Sequence, residues 1–527
     1  MEAISQKIYL SLKMPDENAP VSDADRIKAA METLGYAPVS IPLHVLRKLY
    51  PLCRNANFDI TVTMVRRDWD WVLTDIEAGD TVNKHFGLAV DYGSTTIVMQ
   101  LVDLNTGAVL REEKRVNGQT AFGTDILTRI TYALEHPSHK EMLHQATIET
   151  FRDLIDTITE ASGIQAANCP IMILSGNTTM IHFLLQLDAW TVFASPYAPV
   201  ASDPGFFWGS ELGLPFAGQV YIIPAASNYV GGDIVSGLLT LDLHKQEKTS
   251  LFFDIGTNGE LVLGNREWLL AGAGAAGPAL EGYISRYGMR AGAGAIDSVT
   301  ILNDTLRFTT IGDQKPVGIC GSGIIDLIAQ MRLNGWINIA GELNREASDR
   351  IREINGELAA VYVRAEESAT GEPLYFSQTD ILQYLDTKAA AYTMVECLME
   401  SAGIAFGELE KCYLSGAFPA HSDLESAIAV GIFPDLPRDK FKILRNSSLD
   451  GARMLLLDRS RMEDIRDLLE RIFCVQFASI PDFLVRMQAA KFIPHTDMSR
   501  YPTIQEKLVQ KKLLPGGNAP KTLDQSF

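Results

Sequence analysis

FGLAVDYGSTTIVMQLVD, residues 86–103, is the stretch on which the reading of the chain turns. An apolar run from Phe86 to Val90 ends on Asp91. Gly93, Ser94, Thr95 and Thr96 follow, and a second β-rich run, Ile97 to Val102, leads away. Val and Ile flanking a glycine turn read as a buried hairpin. A turn without Cβ hindrance lets backbone N–H groups approach an anion, and the Ser and Thr hydroxyls add donors. A carboxylate at the strand end can hold a metal ion, often through water, as Mg²⁺ prefers. Taken alone the stretch is also an ordinary hairpin, because Asp-x-Gly turns are common.

The pattern recurs. LFFDIGTNGELVL, residues 251–263, again places an apolar run before Asp254, then Gly256, Thr257, Asn258 and Gly259, then a second strand. Two such hairpins in one chain point to two related half-domains facing a nucleotide. This arrangement resembles the acetate and sugar kinase, heat-shock and actin superfamily. The resemblance implies an α/β fold: an actin-like ATPase of two ribonuclease-H-like halves around a nucleotide cleft, preceded here by a small α+β domain.

At 527 residues the chain has room for two to four domains and an ample core. A net charge of −19 argues against nucleic acid and anionic membranes as partners. The longest uncharged stretches, 161–187 and 212–232, are interrupted by Pro170, Pro215, Pro224 and polar residues, so neither reads as a membrane span. The first twenty residues lack the basic-then-apolar order of a signal peptide, and a cytoplasmic protein is expected. The six cysteines show no C-x-x-C spacing and no clustering with histidine, so they read as reduced, mostly buried thiols.

Four segments follow from the pattern. Residues 1–85 form a small α+β middle or adaptor domain, 86–230 the first actin-like half, 231–510 the second half with the adenosine segment, and 511–527 a disordered tail. Within the first half, Ser175, Gly176, Asn177, Thr178 and Thr179 form a polar strand-to-helix turn, suited to capping or to facing an anion. Gly231-Gly232-Asp233 opens a helix. Gly321-Ser322-Gly323 leads into a helix closed by Asn334-Gly335, and residues 341–375 read as a charged, exposed excursion. A helix is expected over 379–402. A strand at 411–414 ends in Ser415-Gly416-Ala417. Residues 492–506 read as a polar-aromatic surface wrap.

The ordered series DYGSTT (91–96), NGQTAFGTDILTRI (117–130), LSGNTTM (174–180), DIGTNGEL (254–261), AGPALEGYISRYGMRAGAGAI (276–296), ICGSGIIDL (319–327), LSGAFP (414–419) and FIPHTD (492–497) resembles the ATP-dependent reductive activators of corrinoid proteins. The likeness runs over nearly the whole chain. It implies an ATPase that docks on a corrinoid protein of a methyltransferase system, such as one for O-demethylation, and returns oxidised Co(II) corrinoid to Co(I). The electron transfer is uphill, and nucleotide-linked conformational change supplies the drive.

Carried over residue by residue, Asp91 and Asp254 would hold Mg²⁺, partly through water, and act as the catalytic carboxylates. Gly93, Ser94, Thr95 and Thr96 would hold one side of the ATP phosphates, and Gly256, Thr257, Asn258 and Gly259 the other. Gly321, Ser322, Gly323, Gly416 and Ala417 would meet the rest of the nucleotide, with Gly176, Asn177 and Thr178 as a connecting hinge. Asn117, Asp125 and Arg129 would support the first half, and Glu281 and Arg290 would face the partner. The resemblance also implies a [2Fe–2S] domain, for which this sequence has no ligands, so electrons are expected from a domain outside these residues or from an electron donor protein in trans. A second copy of the chain stays open as a partner. Two rival readings remain: a cluster-free, nucleotide-switched scaffold, and a metabolite kinase of the same superfamily.

Overall fold

The computed structural model describes residues 2–18, 20–256, 258–274 and 284–514, so Thr257, Glu281 and most of the tail lie outside the described residues. The chain divides into two compact units. The first comprises Met1–Lys245 with Asn446–Ile472, and the second Gln246–Arg445 with Phe473–Phe527.

In the first unit, alternating strands Ser5–Ser11, Asp59–Arg66 and Trp71–Ala78 join the short Val39–Ser40 in a four-stranded sheet. Helices Asp23–Thr33 and Leu43–Asn55 cover one face of it. Ile27, Met31, Val45, Leu49 and Cys53 are buried from the helices, against Ile60, Val62, Met64 and Leu73 from the strands. At the edge of this domain His85 is buried beside the Ser5 hydroxyl, 2.9 Å from Nε2. Burial, aided by the Lys7 ammonium, pushes the imidazole from 6.5 down to about 4. The neutral ring is therefore the stabilising form. Its contribution is present in full above the unfolded value near 6.5 and is lost as pH falls through about 4. Urea midpoints at pH 7 and pH 4.5 are expected to show this loss in the first unit, with a shallower slope in His85→Asn.

A six-stranded sheet follows, in the order Val109–Val116, Thr96–Asp103, Phe86–Tyr92, Ile171–Gly176, Gln219–Ile222, Gly205–Trp208. The first three strands pair antiparallel, and Phe86–Tyr92, Ile171–Gly176 and Gln219–Ile222 pair parallel. Asp125 caps helix Ile126–Glu135 by accepting from the Thr128 amide at 2.8 Å. Helix Pro137–Ser162 lays Leu143, Phe151, Leu154, Ile155 and Ile158 into the core beneath the sheet.

The second unit repeats this plan. Five of the six strands of its main sheet run Phe441–Ile443, Cys412–Ser415, Ser250–Ile255, Gly259–Gly264, Leu269–Gly274. The last three form an antiparallel meander, and Ser250–Ile255 and Cys412–Ser415 run parallel. In each unit a three-stranded meander is thus extended, beyond its first strand, by parallel strands that arrive through helical connections. This order is that of a ribonuclease-H-like half, and two of them make the actin-like α/β fold.

Three expectations are amended by packing. Residues 341–375 are no exposed excursion: strands Ile351–Ile354, Glu357–Val363 and Leu374–Ser377 form a sheet that buries Ala360, Tyr362, Val363 and Phe376. Most charged residues of 341–375 lie before and between these strands, and this overall charge hid the strands. Residues 492–506 run along the surface with most side chains exposed, but they are anchored in the core. Ile493, Tyr501 and Ile504 are fully buried, held where Lys388 and Arg332 reach backbone carbonyls of this segment. The foot of the tail is ordered too, with Leu513 and Leu514 packed on the core. No described helix is long and apolar enough to cross a membrane.

The expected boundary at 230/231 falls just before helix Gly232–Leu241, and the first unit continues through that helix to Lys245. It also takes in helix Ser447–Leu457, which follows the fifth strand of the second repeat as Gly232–Leu241 follows the parallel strands of the first. These two helices pack so closely that a Cβ on Gly451 would lie 1.9 Å from the Ser236 carbonyl oxygen.

Candidate active site

The first hairpin forms as expected. Asp91 is the penultimate residue of Phe86–Tyr92, and Tyr92 pairs with Ile97 across the turn. Gly93 is required there, since a Cβ would lie 2.5 Å from the Thr96 carbonyl oxygen. Ser94, Thr95 and Thr96 remain partly exposed. The loop is stapled from below by fully buried Asn117, whose Nδ2 donates to Gly93 O at 2.9 Å and whose amide donates to Thr95 O at 2.9 Å. Asn117 Oδ1 in turn accepts from Gln119 N. Arg129 is buried and donates to Gly123 O. Asn117 and Arg129 shape the loop and its support.

The parallel neighbour brings the third motif alongside. Asp91 is in register with Ser175, and Tyr92 with Gly176. A Cβ on Gly176 would lie 3.0 Å from Tyr92 O. Asn177 caps helix Thr178–Leu184 through the Thr179 amide, and Thr178 is spent on Ser227 O at 3.0 Å. Gly231 lies against the same turn, where a Cβ would meet Gly176 O at 2.9 Å. Asp91, Gly93, Gly176, Asn177 and the Gly231-Gly232 turn therefore converge at the carboxyl ends of the parallel strands, where open α/β sheets bind ligands.

Asp91 has two partners that the sequence reading missed. Asn446 Nδ2 donates to Oδ2 at 2.9 Å, and Ser448 Oγ donates to Oδ1 at 2.8 Å. Burial pushes the Asp91 carboxyl up, while these two bonds pull it back. Both partners are neutral, and no Lys or Arg among the described residues pairs with Asp91. Even a part-buried carboxylate without a cation carries a desolvation cost. The site is thus suited to a cation.

The second unit carries the matching geometry. Asp254 is in register with Ser415 as Asp91 is with Ser175, and Gly416 follows as Gly176 does. Gly416 has φ +103°, and a Cβ there would lie 2.2 Å from Ile255 O and 3.2 Å from Asp254 Oδ1. The turn closes through Gly256 N to Asn258 O at 2.9 Å, with open space where a Cβ on Gly256 would project. Gly259 begins the return strand. Gly321, Ser322 and Gly323 are buried at the start of helix Gly321–Leu333. There Ser322 Oγ donates to Asp297 O at 2.9 Å, and a Cβ on Gly323 would lie 2.5 Å from Ile296 O. Segment Ala417–His421 touches both this helix and strand Ser250–Ile255, so Gly416 and Gly321–Gly323 flank one surface of the unit.

No set of cysteines is placed to hold an iron–sulfur cluster among the described residues. Five of the six are buried singly and Cys474 is exposed. Burial pushes Cys53 and Cys397 up to about 11 and Cys169 and Cys412 up to about 12, which suits inert thiols. Among the described residues the one group of metal-type ligands, Asp242, His244 and Asp464, is already matched by Lys245 and Arg461.

Two ribonuclease-H-like repeats, each ending its first strand in an Asp and a small-residue turn, define an actin-like ATPase fold. Three descriptions match in sequence: the RACo linker region over residues 1–83, the RACo middle region over 86–246, and the C-terminal ASKHA domain of RACo over 248–505. The chain belongs to the RACo family of reductive activators of corrinoid proteins. It is similar to the corrinoid activation enzyme RamQ of Eubacterium limosum, 31% identical over 414 residues covering 76% of this chain and 69% of that protein. It is also similar to the [Co(II) methylated amine-specific corrinoid protein] reductase of Methanosarcina barkeri, 25% identical over 417 residues, 73% of each. The solved structure of a reductive activator for corrinoid, iron-sulfur protein superposes with a TM-score of 0.86 at 34% identity, covering 95% of this chain and 81% of that one.

Proposed function

We propose that this chain is an ATP-dependent activator that docks on a corrinoid protein of a methyltransferase system and drives reduction of Co(II) to Co(I) corrinoid. The observation that carries the reading is the duplicated Asp-ended hairpin, within a chain that belongs over nearly its whole length to one family. In this reading Gly93, Ser94, Thr95 and Thr96 hold one flank of the ATP phosphates, and Gly256, Thr257, Asn258 and Gly259 the other. Gly321, Ser322, Gly323, Gly416 and Ala417 meet the remainder of the nucleotide. Asp91 and Asp254 would hold Mg²⁺, through water or directly, an ion that neutralises phosphate charge when bound. Gly176, Asn177 and Thr178 form a turn that absorbs closure.

One electron converts each Co(II) to Co(I), and ATP hydrolysis offsets the uphill transfer. That electron comes from an iron–sulfur domain outside these residues or from a donor protein in trans. The activity is placed in the cytoplasm.

The test is ATP hydrolysis with and without a Co(II) corrinoid protein from the same cell, with the Co(I) spectrum followed once a chemical or protein reductant is supplied. Stimulated hydrolysis and reductant-dependent Co(I) are expected. Turnover indifferent to every corrinoid protein tried, or tight ATP binding without turnover, would overturn the proposal in favour of a kinase or a switch.

A further inference from the structure

The carboxylate of Asp91 is held on both oxygens by the N-terminus of a helix that lies some 355 residues further along the chain, with Asn446 on one oxygen and Ser448 on the other. We propose that Asn446 and Ser448 are positioning residues for the cation that accompanies the nucleotide, fixing the tilt of Asp91 so that its remaining lone pairs meet the water shell of Mg²⁺. This rests on the reading of Asp91 as a Mg²⁺-side carboxylate.

Three observations carry it. First, the two donors are neutral, unlike the cations that pair with two other acids of this chain, Asp464 with Lys245 and Arg461, and Glu396 with Arg500. Asn446 and Ser448 orient the Asp91 charge without cancelling it. Second, the donors cannot easily turn away. Asn446 Oδ1 caps its helix at the Leu449 amide, 2.9 Å away, so the side-chain amide is fixed with Nδ2 toward Asp91. Ser448 O accepts from Ser236 Oγ at 2.6 Å, and Ser448 Oγ is 2.9 Å from Ser175 Oγ, next in register to Asp91 itself. Third, each carboxylate oxygen offers about two acceptor sites and only one is used here. Protons of metal-bound water fit the rest, and Mg²⁺ keeps several of its waters. Groups that orient such a ligand without touching the ion typically change affinity about 10–100-fold when lost.

The experiment measures affinity for a non-hydrolysable ATP analogue, with and without Mg²⁺, in wild type, Ser448→Ala, Asp91→Ala and the double variant, with thermal melts as the check on folding. Ser448→Ala is expected to lose about tenfold of the Mg²⁺-dependent gain while its Mg²⁺-free affinity stays within about twofold. Ser448→Thr, which keeps the hydroxyl, restores the gain. In the Asp91→Ala background Ser448→Ala changes nothing further. Equal weakening with and without Mg²⁺, or full additivity with Asp91→Ala, would mark Ser448 as structural and overturn the proposal.

Asn446→Ser provides a second variant should Ser448→Ala unfold. It retains a capping oxygen but falls short of Asp91, and the same loss is expected. If Asp91→Ala abolishes the Mg²⁺ gain and neither partner variant touches it, only the positioning role fails. If wild type shows no Mg²⁺ gain, or Asp91→Ala keeps it, the reading of Asp91 fails and the positioning role with it.

Discussion

Asp91→Ala is expected to lower Mg-ATP turnover by about a hundredfold to a thousandfold, the range seen when a preorganised electrostatic contact to a transition state is removed. The side chain sits at the carboxyl end of the central strand, beside Gly93 and Gly176, and no Lys or Arg among the described residues pairs with it. In the proposed reading its loss strips the hairpin of the group that would face the cation. The fold should survive, because Ala89, Val90, Tyr92 and Ile97 continue to anchor the hairpin in the core. Two donors, Asn446 Nδ2 and Ser448 Oγ, lose their acceptor, but the site is part-open and water can replace the carboxylate. The assignment stands on steady-state hydrolysis read beside a thermal melt. Near-normal turnover in a folded variant would remove Asp91 from the site.

Lys388→Met is expected to cost about 3 kcal/mol or more of stability, from backbone carbonyls left without a donor. Lys388 is fully buried on helix Gln378–Ser401, and its Nζ donates to the carbonyls of Ala490, Phe492 and Pro494 at 2.6, 2.7 and 2.5 Å. Burial pushes its pKa well down, yet three acceptors around one nitrogen are matched only by the three N–H groups of the ammonium. Methionine keeps the stem and leaves three buried carbonyls without a donor, each worth about 1–3 kcal/mol. Arg332 still reaches Ile493 O, so residues 490–494 should loosen rather than detach. Denaturant unfolding gives the stability loss, and limited proteolysis near residue 490 gives its location. An unchanged midpoint would show that water can replace the ammonium.

What could be read from the sequence was whatever repeats within a few residues. Both Asp-bearing hairpins and helix 379–402 came from local period, and the fold followed from finding one hairpin twice. The partners of Asp91 were invisible for the opposite reason, since nothing in residues 86–103 points to Asn446. One signal was available and unread: Leu174-Ser175-Gly176 and Leu414-Ser415-Gly416 repeat as faithfully as the hairpins, and in the structure each serine lies in register with its aspartate. The strands between 351 and 377 were masked by the charged residues before and between them. A polar-aromatic composition masked the burial of Ile493, Tyr501 and Ile504, beside which Lys388 and Arg332 satisfy backbone carbonyls that would otherwise need water.

The chain passes between its compact units at 245–246, at 445–446 and again at 472–473. Neither unit is therefore an uninterrupted piece of the gene. A chain ended at residue 445 would keep both aspartates, yet it would lose the helix that grips the first of them. Recombination that shuffles whole segments has no single breakpoint here at which one half can be exchanged for a foreign one. The unit that holds Asp91 is completed only where the chain returns to it at Asn446.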